Sequence, residues 1–280
     1  MFDLTMTSTA ARVTFSDGIR VFAPDLLVRL HDMPHYGGIA LADDRVHLAA
    51  GYFYNFSTRL TQSDVQEILA IPGPVLVPSV RPGGRVILNA PFVRVASHTE
   101  CVVTLEDPVD ECLWARLKSK RAREIRRMAR NAKFSFEVIE ARELEAKHWN
   151  DITRLDALHN ERHAAAAPMF CEAVQRIFSC SPLAQAFRWI FRRDASERTV
   201  QIGLILLGEE EDTLYYLSQS IDRAALETRQ NLYTATFYML YHWAYEHGFH
   251  AVHLGRNGVD EKEKLGANVF IEQHHWLKMR

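Results

Sequence analysis

The sequence predicts an α+β protein whose sheet is mixed and largely antiparallel, with helices on its faces. Two apolar runs, 200–207 and 213–218, are joined by an acidic turn, which is typical of an antiparallel hairpin. Residues 231–247 repeat apolar side chains at helical spacing and are followed by Gly248, a residue suited to a helix C-terminus. The other strand-like runs do not alternate strictly with helices, which argues against a doubly wound parallel sheet.

The composition is that of an ordinary globular protein. Of 280 residues, 48% are hydrophobic and 24% charged, and the formal net charge is −2. This apolar fraction can form a substantial core, which excludes disorder as a description of the whole chain, and the near-neutral charge argues against a nucleic-acid coat protein. No apolar run reaches the ~18 residues of a membrane span, and the N-terminus lacks a signal-peptide pattern. Four cysteines without metal-ligand spacing favour a reduced, cytoplasmic protein with no metal site.

In the first hundred residues, short apolar runs bounded by Gly and Pro predict strands. A short helix is expected at 63–69, with Ser63 as its N-cap and Pro72 shortly after its end. Strands are expected at 37–41, 74–78, 85–88 and 100–105.

In the rest of the chain, helices and strands are mixed. Asp107-Pro108 suits a turn before a helix, and one helix is expected over 109–131. Two helices are expected within 143–180. The remaining predicted elements are strands at 134–139, 186–192, 251–255 and 269–277 and a short helix at 259–265.

One segment concentrates positive charge. Residues 116–133 hold nine Lys and Arg and one acid, Glu124, so this segment carries +8 and the remainder of the chain −10. Such a helix is a candidate surface for the phosphates of a coenzyme or an RNA. It is equally compatible with a solvated face whose arginines pair with acids elsewhere in the fold.

A polar loop between a strand and a long helix is a second candidate site. The loop at 218–232 ends at a helix N-terminus, whose free N–H groups and positive dipole end suit a phosphate, and Arg229 adds a cation. The alternative is an ordinary helix start capped by Asn231 or Thr228. The loop lacks the glycine pattern of a P-loop or a dinucleotide fold.

Two further polar stretches are candidates for substrate contacts. Residues 255–266 form a Gly-bounded turn and a short charged helix after a strand, and their acids are either a general base or solvated first-turn residues. Residues 159–163 (HNERH) are either part of a substrate pocket or a solvated turn between helices. No Ser or Cys stands in a nucleophile-elbow motif, so covalent catalysis has no support.

Over about residues 100–277, the order of these stretches resembles the GNAT-fold acyltransferases, in particular the FemAB-like branch. The basic segment 117–130 is similar to that branch's arginine-rich helix, and the hairpin that ends at 214–217 and leads to Asp222 is similar to its sheet core. The helix 232–248 is similar to the helix after the donor-binding loop. Residues 253–266 are similar to the family's strand, charged turn and Lys-containing ending, with Leu265 in place of the usual aromatic residue.

The resemblance implies a GNAT-like sheet and two parts, a reduced GNAT-like half at 1–107 and an acyltransferase domain at 108–280. It implies an N-acyltransferase that moves an acyl group from acyl-CoA to a small-molecule amine by direct attack. The loop 227–231 departs from the coenzyme A pyrophosphate motif, so two alternatives stay open. One is an aminoacyl-tRNA-dependent transferase of FemAB type, with tRNA on the basic helix from Lys118 to Arg130. The other is a non-catalytic GNAT-like module that binds RNA.

Direct attack needs a bound donor, stabilisation of the oxyanion and removal of a proton, but no covalent nucleophile and no metal. For the general base, Asp222 is the first candidate and Glu161 the second. The residues expected to bind the donor are Thr228, Arg229, Gln230, Asn231, Leu232 and Asn257. Those expected to bind the substrate are His159, Arg162, Ser218 and Lys264.

Overall fold

The computed structural model describes residues 12–14, 20–22, 27–29, 45–48, 60–81, 86–106, 108–131, 133–163, 186–208, 212–226, 231–256 and 258–279. Its strands are β1 (Arg12–Thr14), β2 (Arg20–Phe22), β3 (Leu27–Arg29), β4 (Arg45–Leu48), β5 (Val75–Val80), β6 (Phe92–Thr104), β7 (Glu137–Glu140), β8 (Phe187–Arg193), β9 (Thr199–Gly208), β10 (Thr213–Ile221), β11 (Ala251–Arg256) and β12 (Val269–Lys278). Its helices are α1 (Gln62–Ala70), α2 (Val109–Arg116), α3 (Ser119–Asn131), α4 (Ala146–His163), α5 (Leu232–Glu246) and α6 (Val259–Glu263).

Ten of these strands form one sheet, and β1 and β2 form a separate antiparallel pair. The order in the sheet is β3-β4-β5-β12-β6-β11-β10-β9-β8-β7. Every neighbouring pair is antiparallel except β4 with β5 and β10 with β11. The predicted α+β class, with a mixed, largely antiparallel sheet flanked by helices, is therefore confirmed. The sheet joins strands from both predicted parts of the chain, and the boundary at residue 107 stays a prediction.

The two faces of the sheet carry separate cores, because side chains alternate along each strand. On one face, Ile152 and Leu155 of α4 pack with Trp189 of β8. On the other face, Phe237 of α5 belongs to a cluster that includes Ile190, the next residue of β8. Helices thus cover the sheet on both sides, with α4 on one and α2 and α5 on the other.

The prediction of one helix over 109–131 is wrong, because α2 and α3 are separate helices. Leu117 between them has extended backbone angles, φ −96° and ψ 145°. Its side chain is buried in a small cluster with Ala122 and Ile125 of α3, against Tyr238 of α5. The break lets Leu117 point into this cluster. In one continuous helix, the irregular apolar stripe of the segment would not bring Leu117 to the same buried side.

Most other predicted elements are confirmed, with some differences. Residues 159–163, expected between two helices, belong to α4, and residues 218–221 of the expected loop belong to β10. Thr61, not Ser63, caps α1, because the Thr61 hydroxyl accepts the Asp64 N–H at 3.2 Å while the Asp64 carboxylate accepts the Thr61 N–H. Residues 86–88 form no strand. The predicted strand at 37–41 and the second helix expected before residue 180 lie outside the described residues. None of the helices in the described ranges has the length and apolarity needed to cross a membrane.

Candidate functional site

The parallel strands β10 and β11 pair at their N-terminal ends and then separate. Their last registered pair is Tyr215 with His253, whereas β10 continues to Ile221 and β11 to Arg256. Each strand also changes register with its outer neighbour just beyond this point. A wedge therefore opens between the carboxyl ends of two parallel strands, the edge of an α/β unit at which ligands commonly bind.

Helix α5 begins at the open end of this wedge, since it follows β10 and returns the chain to the start of β11. Asn231 caps α5, and its side-chain oxygen accepts the Thr234 N–H at 3.0 Å. The side chain of Leu232 is buried, which leaves only its backbone for contact with a ligand. The other residues predicted to bind the donor lie outside the described residues: Thr228, Arg229, Gln230 and Asn257.

Aromatic side chains line the wedge on the face covered by α5. Tyr216 is buried, and its ring lies over Gly203 with its centroid 4.6 Å from that of Phe237. Tyr233 meets the same Phe237 edge-on at 4.9 Å. Burial raises the pKa of Tyr216 well above its usual value and the pKa of Tyr233 to about 12. Both hydroxyls therefore stay protonated at neutral pH.

A chain of polar side chains leads from the sheet interior to the wedge. Arg192 of β8 donates to the Thr236 hydroxyl at 2.9 Å, and Thr236 donates to Gln201 Oε1 at 2.7 Å. Gln201 Nε2 in turn donates to Gln219 Oε1 at 3.1 Å, and the Tyr216 hydroxyl donates to the same oxygen at 3.1 Å. Of these five residues, only Gln219 belongs to a predicted candidate site, the loop 218–232; the sequence analysis assigned no functional role to the other four.

A histidine and a glutamate lie on the opposite face where the wedge opens. His253 Nδ1 accepts the backbone N–H of Gly255 at 3.0 Å, and its Nε2 lies 3.0 Å from Glu100 Oε2. Both side chains are buried, and Gly255 adopts φ +78°, which favours glycine. The sequence analysis did not predict this pair. The signal that could have found it is one polar residue in each of two apolar runs, Glu100 in ECVVTL and His253 in AVHLG.

Asp222 lies at the end of β10, where its carboxylate holds the turn that follows. Its Oδ1 accepts the Ala225 N–H at 3.2 Å, and its Oδ2 accepts from Arg198 at 2.7 Å with Arg154 at 3.7 Å. The carboxylate is only 5% exposed. These contacts hold the turn at 223–225, and a role for Asp222 as a general base stays a prediction.

The remaining predicted residues lie at three separate places. Glu161 and Arg162 are exposed in the last turn of α4, close in sequence to the half-buried His159, on the face of the sheet opposite α5. Ser218 is half-buried at the register change in β10. Lys264 is exposed just after α6, where its ammonium group is 2.6 Å from Glu261 Oε1. No group of three or more side chains that could hold a metal occurs among the residues the structure describes.

The basic segment forms a groove along α2 and α3. A concave surface of about 630 Å³ is lined by Trp114, Ser119, Ala122, Arg123, Arg126, Arg127 and Arg130. The Arg126 guanidinium stacks on Trp114 at 4.9 Å and pairs with Asp110 at 3.2 Å. Within the described part of the chain, Arg127 and Arg130 form no ion pair. The helix is thus only partly neutralised by acids elsewhere.

The sequence matches no family model and no curated protein, but solved structures share the fold. L-PGS from Bacillus licheniformis superposes with a TM-score of 0.58 at 12% identity, covering 84% of this chain and 77% of that one. The C-terminal domain of a putative lysylphosphatidylglycerol synthetase from Agrobacterium fabrum gives 0.58 at 9% identity, with coverages of 96% and 84%. FemX gives 0.50 at 11% identity, with coverages of 78% and 69%. The predicted GNAT-like fold of the FemAB-like branch is confirmed as a fold.

Proposed function

We propose that this chain, which has the fold of FemX and L-PGS, is an N-acyltransferase in which an amine directly attacks a bound acyl donor. The wedge between β10 and β11 carries the proposal. Parting strands present backbone N–H and C=O groups that can bind an extended ligand, and the start of α5 at the same edge suits a phosphate of its carrier. The proposed donor is acyl-CoA and the proposed acceptor is a small-molecule amine.

The reaction needs few groups on the protein. The amine nitrogen forms a bond to the carbonyl carbon, the bond from that carbon to the carrier's sulfur or oxygen breaks, and the leaving group takes up a proton as the amine loses one. We assign donor binding to Asn231, the Leu232 backbone, residues 228–230 and Asn257. We assign acceptor binding to His159, Arg162, Ser218 and Lys264, and proton removal to Asp222 or Glu161.

An aminoacyl-tRNA donor is the second candidate, and the arginine groove favours it. Arg121 Nε donates to the Lys264 carbonyl oxygen at 3.1 Å, so α3 adjoins the segment that follows α6 and β11. Two arginines of this groove are outside any ion pair of the described residues. The groove can therefore contact several phosphates of a nucleic-acid backbone, more than the binding of one coenzyme needs.

Donor binding is tested first by thermal shift with acetyl-CoA, longer acyl-CoAs and CoA. A ligand at a hundred times its dissociation constant stabilises the folded state by about 2.7 kcal/mol. Arg229→Ala is expected to abolish the shift, whereas Arg142→Ala, an exposed arginine paired with Glu140, is the matched control. A shift in the wild type followed by amide formation supports the acyl-CoA reaction. The absence of any shift refutes it.

The tRNA alternative is tested by binding of charged tRNA at several salt concentrations. The double variant Arg127→Ala and Arg130→Ala is expected to reduce the slope of log affinity against log salt by about 1.5, since each lost phosphate contact removes ~0.7–0.9. Lys147→Ala, at an exposed lysine on α4, is the control. Binding without transfer to any amine favours the non-catalytic RNA module, and equal slopes in variant and wild type remove the groove from the donor site.

A further inference from the structure

Arg192 brings a positive charge into the sheet interior. Its side chain is fully buried and bonds to two backbone carbonyl oxygens, of Ser135 at 2.6 Å and Phe134 at 3.4 Å, and to the hydroxyl of Thr236. Among the described residues no carboxylate forms an ion pair with it. Burial lowers the pKa of Arg192 to about 10, so the guanidinium is still charged at neutral pH.

The charge on Arg192 sets the direction of every hydrogen bond that follows. A guanidinium only donates, so the Thr236 oxygen accepts from it and turns its own proton to Gln201 Oε1. With its oxygen occupied in this way, Gln201 donates through Nε2 to the oxygen of Gln219. The protonated hydroxyl of Tyr216 donates to that same oxygen. Because this atom accepts both hydrogen bonds, it is the amide oxygen, and the other end of the Gln219 amide is the NH₂ group.

The amide nitrogen of Gln219 is the outer end of this chain. Gln219 lies on β10 beyond the last pair with β11, and it is half-buried whereas Gln201 and Thr236 are buried. Its oxygen accepts two hydrogen bonds, and within the described ranges its NH₂ group donates to no protein atom. Hydrogen bonds in series polarise one another, so this NH₂ group is both oriented and a strengthened donor.

We propose that Gln219 Nε2 binds the carbonyl oxygen of the acyl group in the wedge, and that Arg192, Thr236 and Gln201 position its amide. This inference rests on the proposed function and names the group that holds its oxyanion. As the amine nitrogen bonds to the carbonyl carbon, negative charge grows on the carbonyl oxygen until the bond to the carrier breaks and the leaving group is protonated. A donor fixed in advance at that oxygen binds the transition state more tightly than the substrate.

Two isosteric variants test the assignment. Gln219→Glu replaces the NH₂ group with an oxygen, and Thr236→Val interrupts the chain without moving Gln219. Gln62→Glu, the same change at an exposed position of α1, is the control. For each protein, kcat and KM are measured, together with dissociation constants for acetyl-CoA and CoA, or for charged and uncharged tRNA if these are the ligands bound.

Removal of one oxyanion donor lowers kcat by about 10²–10³-fold, and we expect this of Gln219→Glu. We also expect its affinity for the acylated donor to fall while its affinity for the bare carrier stays unchanged, because only the acylated donor carries the carbonyl oxygen. Thr236→Val is expected to lower kcat by a smaller factor with KM unchanged. Wild-type kcat in Gln219→Glu, with an active wild type, overturns the inference and leaves the proposed function standing.

Thr236 is buried, so its variant can fail to fold. A measurement on the wild type therefore tests the role of Gln219 independently. The side-chain NH₂ signals of Gln219, identified by their loss in Gln219→Glu, are expected to shift in ¹H–¹⁵N spectra with the acylated donor and not with the bare carrier. Equal responses to both ligands overturn the inference. A wild type that binds neither kind of donor and transfers no acyl group refutes the proposed function, and the role of Gln219 with it.

Discussion

The contact between Gly203 and Tyr216 predicts that even a methyl group on β9 disturbs the wedge. A Cβ at Gly203 would lie 3.0 Å from the Tyr216 hydroxyl oxygen and 3.2 Å from its Cε2, against a favourable carbon–carbon distance of ~3.5–4.0 Å. The Tyr216 ring cannot retreat easily, since it is buried against Phe237 and bonded to Gln219. Gly203→Ala is therefore expected to lower the free energy of unfolding by about 1–3 kcal/mol, the usual cost of overpacking.

A double-mutant cycle measured by urea unfolding tests this reasoning. Tyr216→Phe alone is expected to cost about 1 kcal/mol for the hydrogen bond to Gln219. It also removes the atom nearest to the new methyl group, so Gly203→Ala is expected to cost about 0.5–1 kcal/mol less in the Tyr216→Phe background. The comparison uses urea midpoints at constant m. Additive costs, or a Gly203→Ala protein as stable as the wild type, would show that the ring does not press on β9 as described.

Three further predictions concern the turn after β10, the start of α4 and the end of α5. Asp222→Asn keeps the capping oxygen but removes the carboxylate to which we assign proton removal, so we expect reduced transfer with a near wild-type Tm; unchanged turnover would show that Asp222 serves only the turn. Burial lowers the pKa of His148, so the unfolded chain takes up its proton first and stability is expected to fall as pH drops below about 6.5. Urea midpoints at pH 7.5 and 5.5 should show a smaller difference in His148→Gln, and an equal difference contradicts the assignment. Trp243→Ala is expected to cost less than the ~3–5 kcal/mol of a fully buried aromatic residue, because Trp243 is half-buried and stacks on His247, and thermal unfolding measures this cost.

The sequence was most informative where structure depends on neighbours along the chain. The β9–β10 hairpin, the helix capped by Asn231 and its end at Gly248, which has φ +83°, follow from local periodicity and turn chemistry. The break at Leu117 does not, because residues on both sides favour a helix and the contact that turns Leu117 inward comes from Tyr238, far along the chain.

Local sequence patterns could not predict the buried polar residues of the site either, because distant parts of the chain bring them together. Arg192 is one of three arginines in the run FRWIFRR, and Gln201 is a single polar residue in VQIGLILL, so neither stands out in its strand. Their relation to Gln219 depends on the register of three strands and the position of α5 over them. The loop chemistry predicted at 228–230 and Asn257 lies outside the described residues and stays a prediction.

Strand β12 separates β5 from β6 in the middle of the sheet, although it comes much later in the chain. Ser97 Oγ and His274 Nδ1, 2.9 Å apart across one of its ladders, are 177 residues apart in sequence. During synthesis, both neighbours therefore leave the ribosome long before the strand that joins them, and each presents an unpaired edge in the meantime. A chain that stops before residue 269 leaves two open edges at the centre of the sheet, and unpaired edges favour aggregation.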